Sequence, residues 1–127
     1  MDLLLDTHIV LWWDSEDTQL GEVARSMIAD PRNRIFVSSA SIWEISIKRA
    51  KGKLQFTGQP SIVIARNRFT PLDISPEHAE LAGYLEWSHA DPFDRMLVAQ
   101  AKSAGMTLVH ADNVIQAYQA LPQLWAR

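Results

Sequence analysis

Short runs of strand-forming residues, separated by longer helix-forming stretches, constrain the fold of this chain most. The first run, Leu3, Leu4 and Leu5, contains no polar residue, as expected for a strand buried on both faces of a sheet. Similar short runs recur at residues 34–38 and 107–109. Because strands alternate with helices along the chain, the sequence predicts an α/β domain with a mainly parallel central sheet covered on both faces.

The positions of glycine and proline give the expected bounds of the elements. Gly52 and Gly105 are expected to follow the last residues of two helices, and Pro122 confines the last strand to an edge of the sheet. The predicted strands are residues 3–5, 34–38, 70–74, 107–109 and 121–125. The predicted helices are residues 7–13, 21–29, 41–51, 60–68, 76–87, 92–103 and 113–119.

Length and composition exclude several classes of protein. A chain of 127 residues is expected to form a single domain, residues 1–127. The absence of cysteine excludes disulfides, thiolate zinc sites and a cysteine nucleophile. The apolar runs are far shorter than the roughly 20 residues that span a bilayer, and the first residues lack the basic region of a signal peptide. We therefore expect a cytoplasmic protein that does not contact a membrane.

The basic residues are concentrated in one part of the chain. Residues 32–68 contain eight Lys or Arg and a single acid, Glu44, although the whole chain has a net charge of −3. Such a segment beside an acidic remainder is typical of a protein that binds a polyanion at one surface. Within it, Lys48, Lys51 and Lys53 are the best candidates for contacts with phosphate. A solvated basic helix face is the alternative interpretation.

Four acids lie where predicted strands end or predicted helices begin. They are Asp6, Glu44, Asp94 and Asp112. Since ligands bind beyond the carboxyl ends of parallel strands, we expect these side chains to converge on one edge of the sheet. Clustered carboxylates repel each other, and a hard cation such as Mg²⁺ removes that repulsion. Such a site can activate a bound water and position a phosphodiester for hydrolysis.

Each acid also has a purely structural interpretation. Asp6 and Asp112 can cap the helices that follow them. Asp91 followed by proline is typical of a helix N-cap, which leaves Asp94 in a first turn where the helix dipole favours an acid.

Glu44 has two such alternatives. The order Ser41, Ile42, Trp43, Glu44 matches a capping box, and Glu44 can also pair with Lys48 one turn later.

Four short segments together resemble the motifs of PIN-domain ribonucleases. They are Leu-Leu-Asp-Thr-His at residues 4–8, Ser-Ile-Trp-Glu-Ile at 41–45, Asp-Pro-Phe-Asp-Arg at 91–95 and Leu-Val-His-Ala-Asp at 108–112. They occur in the order of that family and cover nearly the whole chain, and the third is the most specific. Within the family, the chain is most similar to the VapC-type toxins of bacterial toxin–antitoxin pairs.

The resemblance implies a fold and a role for each acid. The fold is a three-layer α/β/α sandwich. Asp6 and Asp94 would be the principal ligands of Mg²⁺, for which Mn²⁺ can substitute. Glu44 and Asp112 would bind the metal directly or through water, or activate the attacking water. The implied function is that of a toxin, an endoribonuclease that hydrolyses RNA phosphodiesters, forms a homodimer and is blocked by a VapB-like antitoxin.

The chain departs from the family pattern at His110, where the family usually has threonine or serine. This histidine either contacts metal-bound water or substrate, or is a buried structural residue. His8, His78 and His89 have no spacing typical of metal ligands, so we interpret them as structural or exposed.

Several residues beside the motifs have two interpretations. The Thr7 hydroxyl can donate to Asp6 or to a substrate phosphate, or simply begin a helix. Arg95 can hold a phosphate or pair with an acid. Trp12 and Trp13 cannot share one helix face, so one is expected in the core, while the other can stack on a base or contact an antitoxin.

Three other functions are compatible with parts of this pattern. A PIN-type nuclease for RNA processing would need no antitoxin. A receiver-like signalling domain would also bind Mg²⁺, but it needs a paired acid after the first strand and a lysine after the last, and Asp6 stands alone. A binding module without catalytic activity would not need all four acids.

Overall fold

The five strands form one sheet in which every neighbouring pair is parallel. The computed structural model describes all 127 residues, and its strands lie in the order β3-β2-β1-β4-β5. They are β1 (Asp2–Leu5), β2 (Arg34–Ser38), β3 (Thr70–Leu72), β4 (Thr107–His110) and β5 (Gln123–Trp125). The predicted parallel sheet is confirmed, and the strand after Pro122 lies at an edge as expected.

Seven helices connect the strands, as the sequence predicts. They are α1 (Thr7–Asp14), α2 (Glu22–Ala29), α3 (Ser39–Ala50), α4 (Pro60–Arg66), α5 (Pro76–Tyr84), α6 (Pro92–Ala104) and α7 (Asn113–Gln116). Two of them, α5 and α7, end three residues before their predicted bounds. No helix is both long enough and apolar enough to cross a membrane.

The side chains of β1 alternate between two cores, one on each face of the sheet. Leu3 and Leu5 pack with residues of α1, α2, α3 and α4. Leu4 points to the opposite face and packs with residues of α5, α6 and α7. All three leucines are completely buried, because helices cover both faces of the central strand. The structure is therefore the three-layer α/β/α sandwich that the resemblance implied.

Helix α3 begins two residues earlier than predicted. Its N-cap is Ser38, the last residue of β2, whose hydroxyl accepts a hydrogen bond from the Ala40 amide at 3.0 Å. Ser41 lies inside the helix and accepts a hydrogen bond from the Thr7 hydroxyl at 2.9 Å. The predicted capping box between Ser41 and Glu44 is therefore wrong, because the strand leads into the helix without an intervening loop.

Replacement by alanine is expected to have opposite effects on stability at Gly105, which follows α6, and at Gly83, which lies within α5. Gly105 caps α6 with φ at +66°, a conformation that strains any residue with a Cβ atom. Gly83 lies in α5 with open space around it. We expect Gly105→Ala to lower the free energy of unfolding by about 1 kcal/mol and Gly83→Ala to raise it by about 0.5 kcal/mol. Urea denaturation measures both changes, and an equal effect of the two substitutions would contradict this interpretation.

Candidate active site

Asp6 lies directly beyond the carboxyl end of the central strand. Its amide donates to the Val109 carbonyl oxygen at 2.9 Å, which continues the pairing of β1 with β4 by one residue. The residue is 4% exposed, and its side chain accepts a hydrogen bond from the His8 amide at 3.3 Å, so Asp6 caps α1 as one interpretation expected. The cap turns this carboxylate inward at the edge of the sheet.

His8 faces the same carboxylate. Its Nδ1 atom lies 3.3 Å from Oδ2 of Asp6, and this hydrogen bond raises the pKa of His8. The imidazole is therefore a partner for the negative charge of Asp6, although its spacing in the sequence did not indicate this.

Asp94 occupies the first turn of α6, where Asp91 holds the helix in place. One oxygen of Asp91 accepts hydrogen bonds from the amides of Phe93 at 2.9 Å and Asp94 at 3.0 Å. The predicted N-cap is confirmed. The Nε2 atom of His89 lies 2.7 Å from Oδ2 of Asp94 and orients the carboxylate from the loop before the helix.

The surroundings of Asp94 disfavour its ionised form. Burial raises the pKa of this carboxyl to about 6, against the hydrogen bond from His89, and the charges of Asp91, Asp6 and Asp112 raise it further. Burial is the larger cause of this shift, and the charges of the three neighbouring carboxylates add to it. Perturbed carboxyl groups of this kind cluster at functional sites.

Glu44 lies buried on α3, close to the same centre. Its Oε2 atom is 2.9 Å from Nζ of Lys48, the ion pair that the spacing of four residues predicted. This contact raises the pKa of Lys48, and the nearby charges of Asp91 and Asp6 raise it further. Lys48 therefore lies among the acids as a counterion, and its ammonium group is already engaged.

Asp112 follows β4 and caps α7. Its Oδ1 atom accepts a hydrogen bond from the Val114 amide at 2.7 Å, and its own amide donates to Nδ1 of His110 at 3.1 Å. His110 is completely buried, and its Nε2 atom lies 2.6 Å from Oε1 of Gln123. With both ring nitrogens engaged by the protein, His110 is a structural residue that positions the backbone of Asp112.

The four predicted acids lie around one edge of the sheet. Asp6 and Asp112 line a cavity of about 380 Å³. Asp94 lies outside its lining but is close enough to both carboxylates for their charges to raise its pKa. Glu44 pairs with Lys48, and its negative charge helps to raise the pKa of His8. The charges of Asp6 and Asp112 thus act on Asp94, whereas Glu44 is linked to the group only through Lys48 and His8.

The donor set fits a hard divalent cation, although no closed cage of ligands exists. No three Asp, Glu, His or Cys side chains are arranged to hold a metal ion together. The charges of three nearby acids nevertheless disfavour the ionised form of Asp94, and a bound cation would offset them. Mg²⁺ commonly binds through one or two carboxylates and keeps several waters, so an open cluster of acids suits it.

Two side chains predicted to contact substrate are engaged by the protein itself. The Thr7 hydroxyl is buried and donates to Ser41 instead of Asp6. Arg95 donates only to backbone carbonyl oxygens and pairs with no acid. These oxygens belong to Ala82, Gly83, Leu85, Trp87 and His89. Arg95 thereby organises the loop between α5 and α6.

His8 and His89 are the residues that sequence reasoning missed. His8 lies two residues after Asp6 and His89 five residues before Asp94, and each contacts that acid, which the resemblance implies to be a metal ligand. Both histidines lie close to the acidic motifs in the sequence, and this proximity could have indicated their contacts. The spacing between histidines could not, because neither contact involves a second histidine. His78 is structural as expected, since it completes a capping box with Ser75.

The basic segment 32–68 does not form one free surface. Arg32 pairs with Asp30, and Arg34 pairs with Asp2, both outside the segment. Arg49 donates to two carbonyl oxygens in the loop after α3. Lys51 and Lys53 are exposed and form no ion pair, so they remain candidates for phosphate contacts.

Loss of the Asp91 cap is expected to loosen the start of α6. Asp91→Ala removes two hydrogen bonds to backbone amides and should cost about 1 kcal/mol of stability. Asp91→Asn should cost much less, since asparagine caps helices as well as aspartate does. Thermal denaturation of both variants measures the difference. Equal losses would mean that the charge of Asp91, and not its cap, stabilises the helix.

Together, the fold and the site define an α/β domain whose parallel sheet presents a cluster of acids at its carboxyl edge. The PIN domain family matches residues 3–121, and the chain belongs to this family. PIN domains are in general nucleases and typically use divalent metals. Membership in this family leaves no support for the receiver-like alternative.

Solved structures with the same fold include several toxin–antitoxin complexes. The VapBC2 complex of Rickettsia felis bound to promoter DNA contains a chain with a TM-score of 0.76 and 19% identity, and all of both chains is covered. VapBC-1 of nontypeable Haemophilus influenzae contains one with a TM-score of 0.68 and 18% identity, covering 98% of each chain. Comparison with the curated proteins gives no significant match. At these identities the similarity shows the fold.

Proposed function

We propose that this protein is a Mg²⁺-dependent endoribonuclease that acts as the toxin of a type II toxin–antitoxin module. The observation that carries the proposal is Asp94 in a PIN fold, where burial raises the pKa of its carboxyl and the nearby charges of Asp6 and Asp112 raise it further. Helix capping alone does not require the charges of Asp6 and Asp112 to act on Asp94.

In this proposal the acids divide between holding the metal and handling water. Asp6 and Asp94 would hold Mg²⁺. Glu44 and Asp112 would contact it directly or through water, or would accept a proton from water. When bound, the ion supplies Lewis-acid activation and lowers the pKa of water. Mn²⁺ can take its place because it prefers the same oxygen ligands.

The protein's own contacts keep these carboxylates in position. His8 and His89 each engage one oxygen of a principal acid, which leaves the other oxygen without a side-chain partner. Asp91 holds the amide of Asp94, and Lys48 restrains Glu44. Catalytic groups held by neighbouring contacts need less reorganisation when the reaction begins.

The partners follow from the same comparison. The structural neighbours from Rickettsia felis and Haemophilus influenzae are VapBC complexes, which supports a VapB-like antitoxin as the partner of this chain. We further propose that the protein acts in the cytoplasm on RNA and forms a homodimer. A PIN nuclease for RNA processing would share the site and differ by having no antitoxin.

The experiment that tests the activity is incubation of the purified protein with total bacterial RNA. We expect discrete fragments in Mg²⁺ or Mn²⁺, none in EDTA and none with Asp94→Asn, and sequencing of the fragment ends identifies the sites that are cut. A folded protein that binds Mg²⁺ but cuts no RNA would instead support a binding module. Co-purification with the product of an adjacent small reading frame separates a toxin from a processing enzyme.

A further inference from the structure

The cavity beside the acidic cluster is lined by one arginine, Arg127, whose guanidinium forms no salt bridge. Arg127 lines this 380 Å³ cavity together with Asp6 and Asp112, and no lysine or second arginine does so. Although two carboxylates share the cavity, Arg127 forms no salt bridge. Its guanidinium instead donates to Oε1 of Gln19 at 2.9 Å, a neutral partner.

The backbone that carries Arg127 is held firmly. The Ala126 amide donates to the His110 carbonyl oxygen at 2.8 Å, which extends the pairing of β5 with β4. The Gly21 amide donates to the Ala126 carbonyl oxygen at 2.7 Å. Ala126 is completely buried between these two contacts. The backbone next to Arg127 is therefore held in place beside the cavity.

Gly21 makes this close approach possible. A Cβ atom at residue 21 would lie 2.7 Å from the backbone carbon of Arg127, nearer than real side chains allow. Since φ of Gly21 is −70°, its conformation does not require glycine, and the contact alone does. Because Gly21 has no side chain, residues 126 and 127 can pack directly against the start of α2.

The side chain of Arg127 is also guided toward the cavity. Its guanidinium lies 5.8 Å from the ring centre of Trp12, within the range of a cation–π contact. Trp12 and Gln19 line the same cavity. Two neutral groups therefore orient this planar guanidinium, which pairs with no acidic side chain. Its remaining N–H donors are of the kind that bind phosphate.

We propose that Arg127 binds a phosphate group of the RNA strand beside the acidic centre, with Trp12, Gln19 and Gly21 as positioning residues. This inference rests on the proposed ribonuclease function. The acids that hold a metal also repel the polyanionic strand, and Arg127 supplies attraction within the same cavity. RNA is favoured over an acidic protein segment because the cavity adjoins the proposed site of phosphodiester hydrolysis.

Binding to RNA can be measured without cleavage in an Asp94→Asn background. The probe is a fluorescein-labelled single-stranded RNA of random sequence, about 12 nucleotides long, and the signal is fluorescence anisotropy in Mg²⁺. We expect Arg127→Gln to raise Kd about tenfold, as for loss of one charge-assisted contact. The slope of log Kd against log salt should fall by about 0.7. Arg127→Lys should retain most of the slope.

Lys102→Gln is the matched control. It removes one positive charge from an exposed side chain near the far end of α6, outside the cavity, and should leave Kd and the salt slope unchanged. Equal effects of Arg127→Gln and Lys102→Gln would overturn the inference, because the effect would then come from net charge. An unchanged Kd for Arg127→Gln would overturn it as well.

Gly21→Ala tests the positioning role. It should weaken RNA binding when Arg127 is present and have no further effect in an Arg127→Gln background, which a general loss of stability would not reproduce. Independent effects in this cycle would contradict the positioning role.

Cleavage by the otherwise unmodified enzyme separates this inference from the proposed function. Arg127→Gln should raise KM about tenfold and change kcat less than about twofold. Cleavage with an unchanged KM would overturn the role of Arg127 and leave the ribonuclease standing. If the unmodified protein neither cuts nor binds RNA, both proposals fail together.

Discussion

Asp6→Asn and Asp94→Asn are each expected to reduce RNA cleavage by about 100-fold or more, because each removes a negative charge that the proposed metal requires. Loss of one well-placed electrostatic group at an active site commonly has an effect of this size. The amide keeps the size of the side chain and, for Asp94, can keep a hydrogen bond to His89. Cleavage rates at saturating Mg²⁺ and RNA measure the loss.

The same Asp94→Asn change is expected to stabilise the metal-free protein at pH 8. Burial and neighbouring acids raise the pKa of Asp94 to about 6, above its ordinary value of 3.8. Stability is therefore lost as pH rises through this window, when the buried carboxyl ionises. Asparagine does not ionise, so the gain at pH 8 should be on the order of 2 kcal/mol. It should vanish below about pH 4.

Asp14→Asn provides the control for both measurements. Asp14 is an exposed acid at the end of α1, and its carboxylate forms no ion pair or hydrogen bond. It should change neither cleavage nor the pH dependence of stability. An Asp94→Asn variant that cuts RNA at the normal rate would show that the acidic cluster is not the catalytic centre.

Arg95→Leu is expected to destabilise the fold by about 3 kcal/mol, since it leaves several carbonyl oxygens without their donor. The Arg95 guanidinium donates hydrogen bonds to carbonyl oxygens at the end of α5 and in the loop before α6. A cation at a helix C-terminus is also favourable to the helix dipole. Arg95→Lys should recover only part of the loss, because an ammonium group cannot span the same oxygens. Urea denaturation measures both variants.

Hydrogen exchange adds a local measurement to this prediction. Amides of residues 85–91 should exchange faster in Arg95→Leu, while those of β1 should keep their protection relative to global unfolding. Arg66→Leu is the control, since Arg66 is exposed and forms no hydrogen bond or ion pair. A loss of less than about 0.5 kcal/mol in Arg95→Leu, the range of an ordinary surface substitution, would show that water replaces the guanidinium at these oxygens.

Local sequence patterns predicted the elements because each has a local cause. The apolar run of β1 is covered on both sides, and Gly105 is needed where α6 ends in a left-handed conformation. The Asp91 cap was equally visible, since its hydrogen bonds reach only two and three residues along the chain. The four acids were predicted together because parallel strands bring their carboxyl ends to one edge.

Local sequence patterns could not predict contacts between residues that are far apart in the sequence. Ser41 was expected to cap α3, yet it lies inside the helix and accepts a hydrogen bond from Thr7, 34 residues away. Arg95 was expected to hold phosphate or an acid, yet five carbonyl oxygens from the preceding helix and loop surround it. His89 was dismissed on its spacing, although the loop that Arg95 organises brings it to Asp94.

The sequence by itself therefore determined the sheet, the two cores and the acids at one edge. Periodicity, capping and strand direction act over a few residues and require no knowledge of the packing. Only the tertiary structure decided which side chains are free to act. It engages Thr7, Lys48 and Arg95 with the protein and leaves Arg127 without an acidic partner, because a side chain's partners depend on where chain segments far apart in sequence meet.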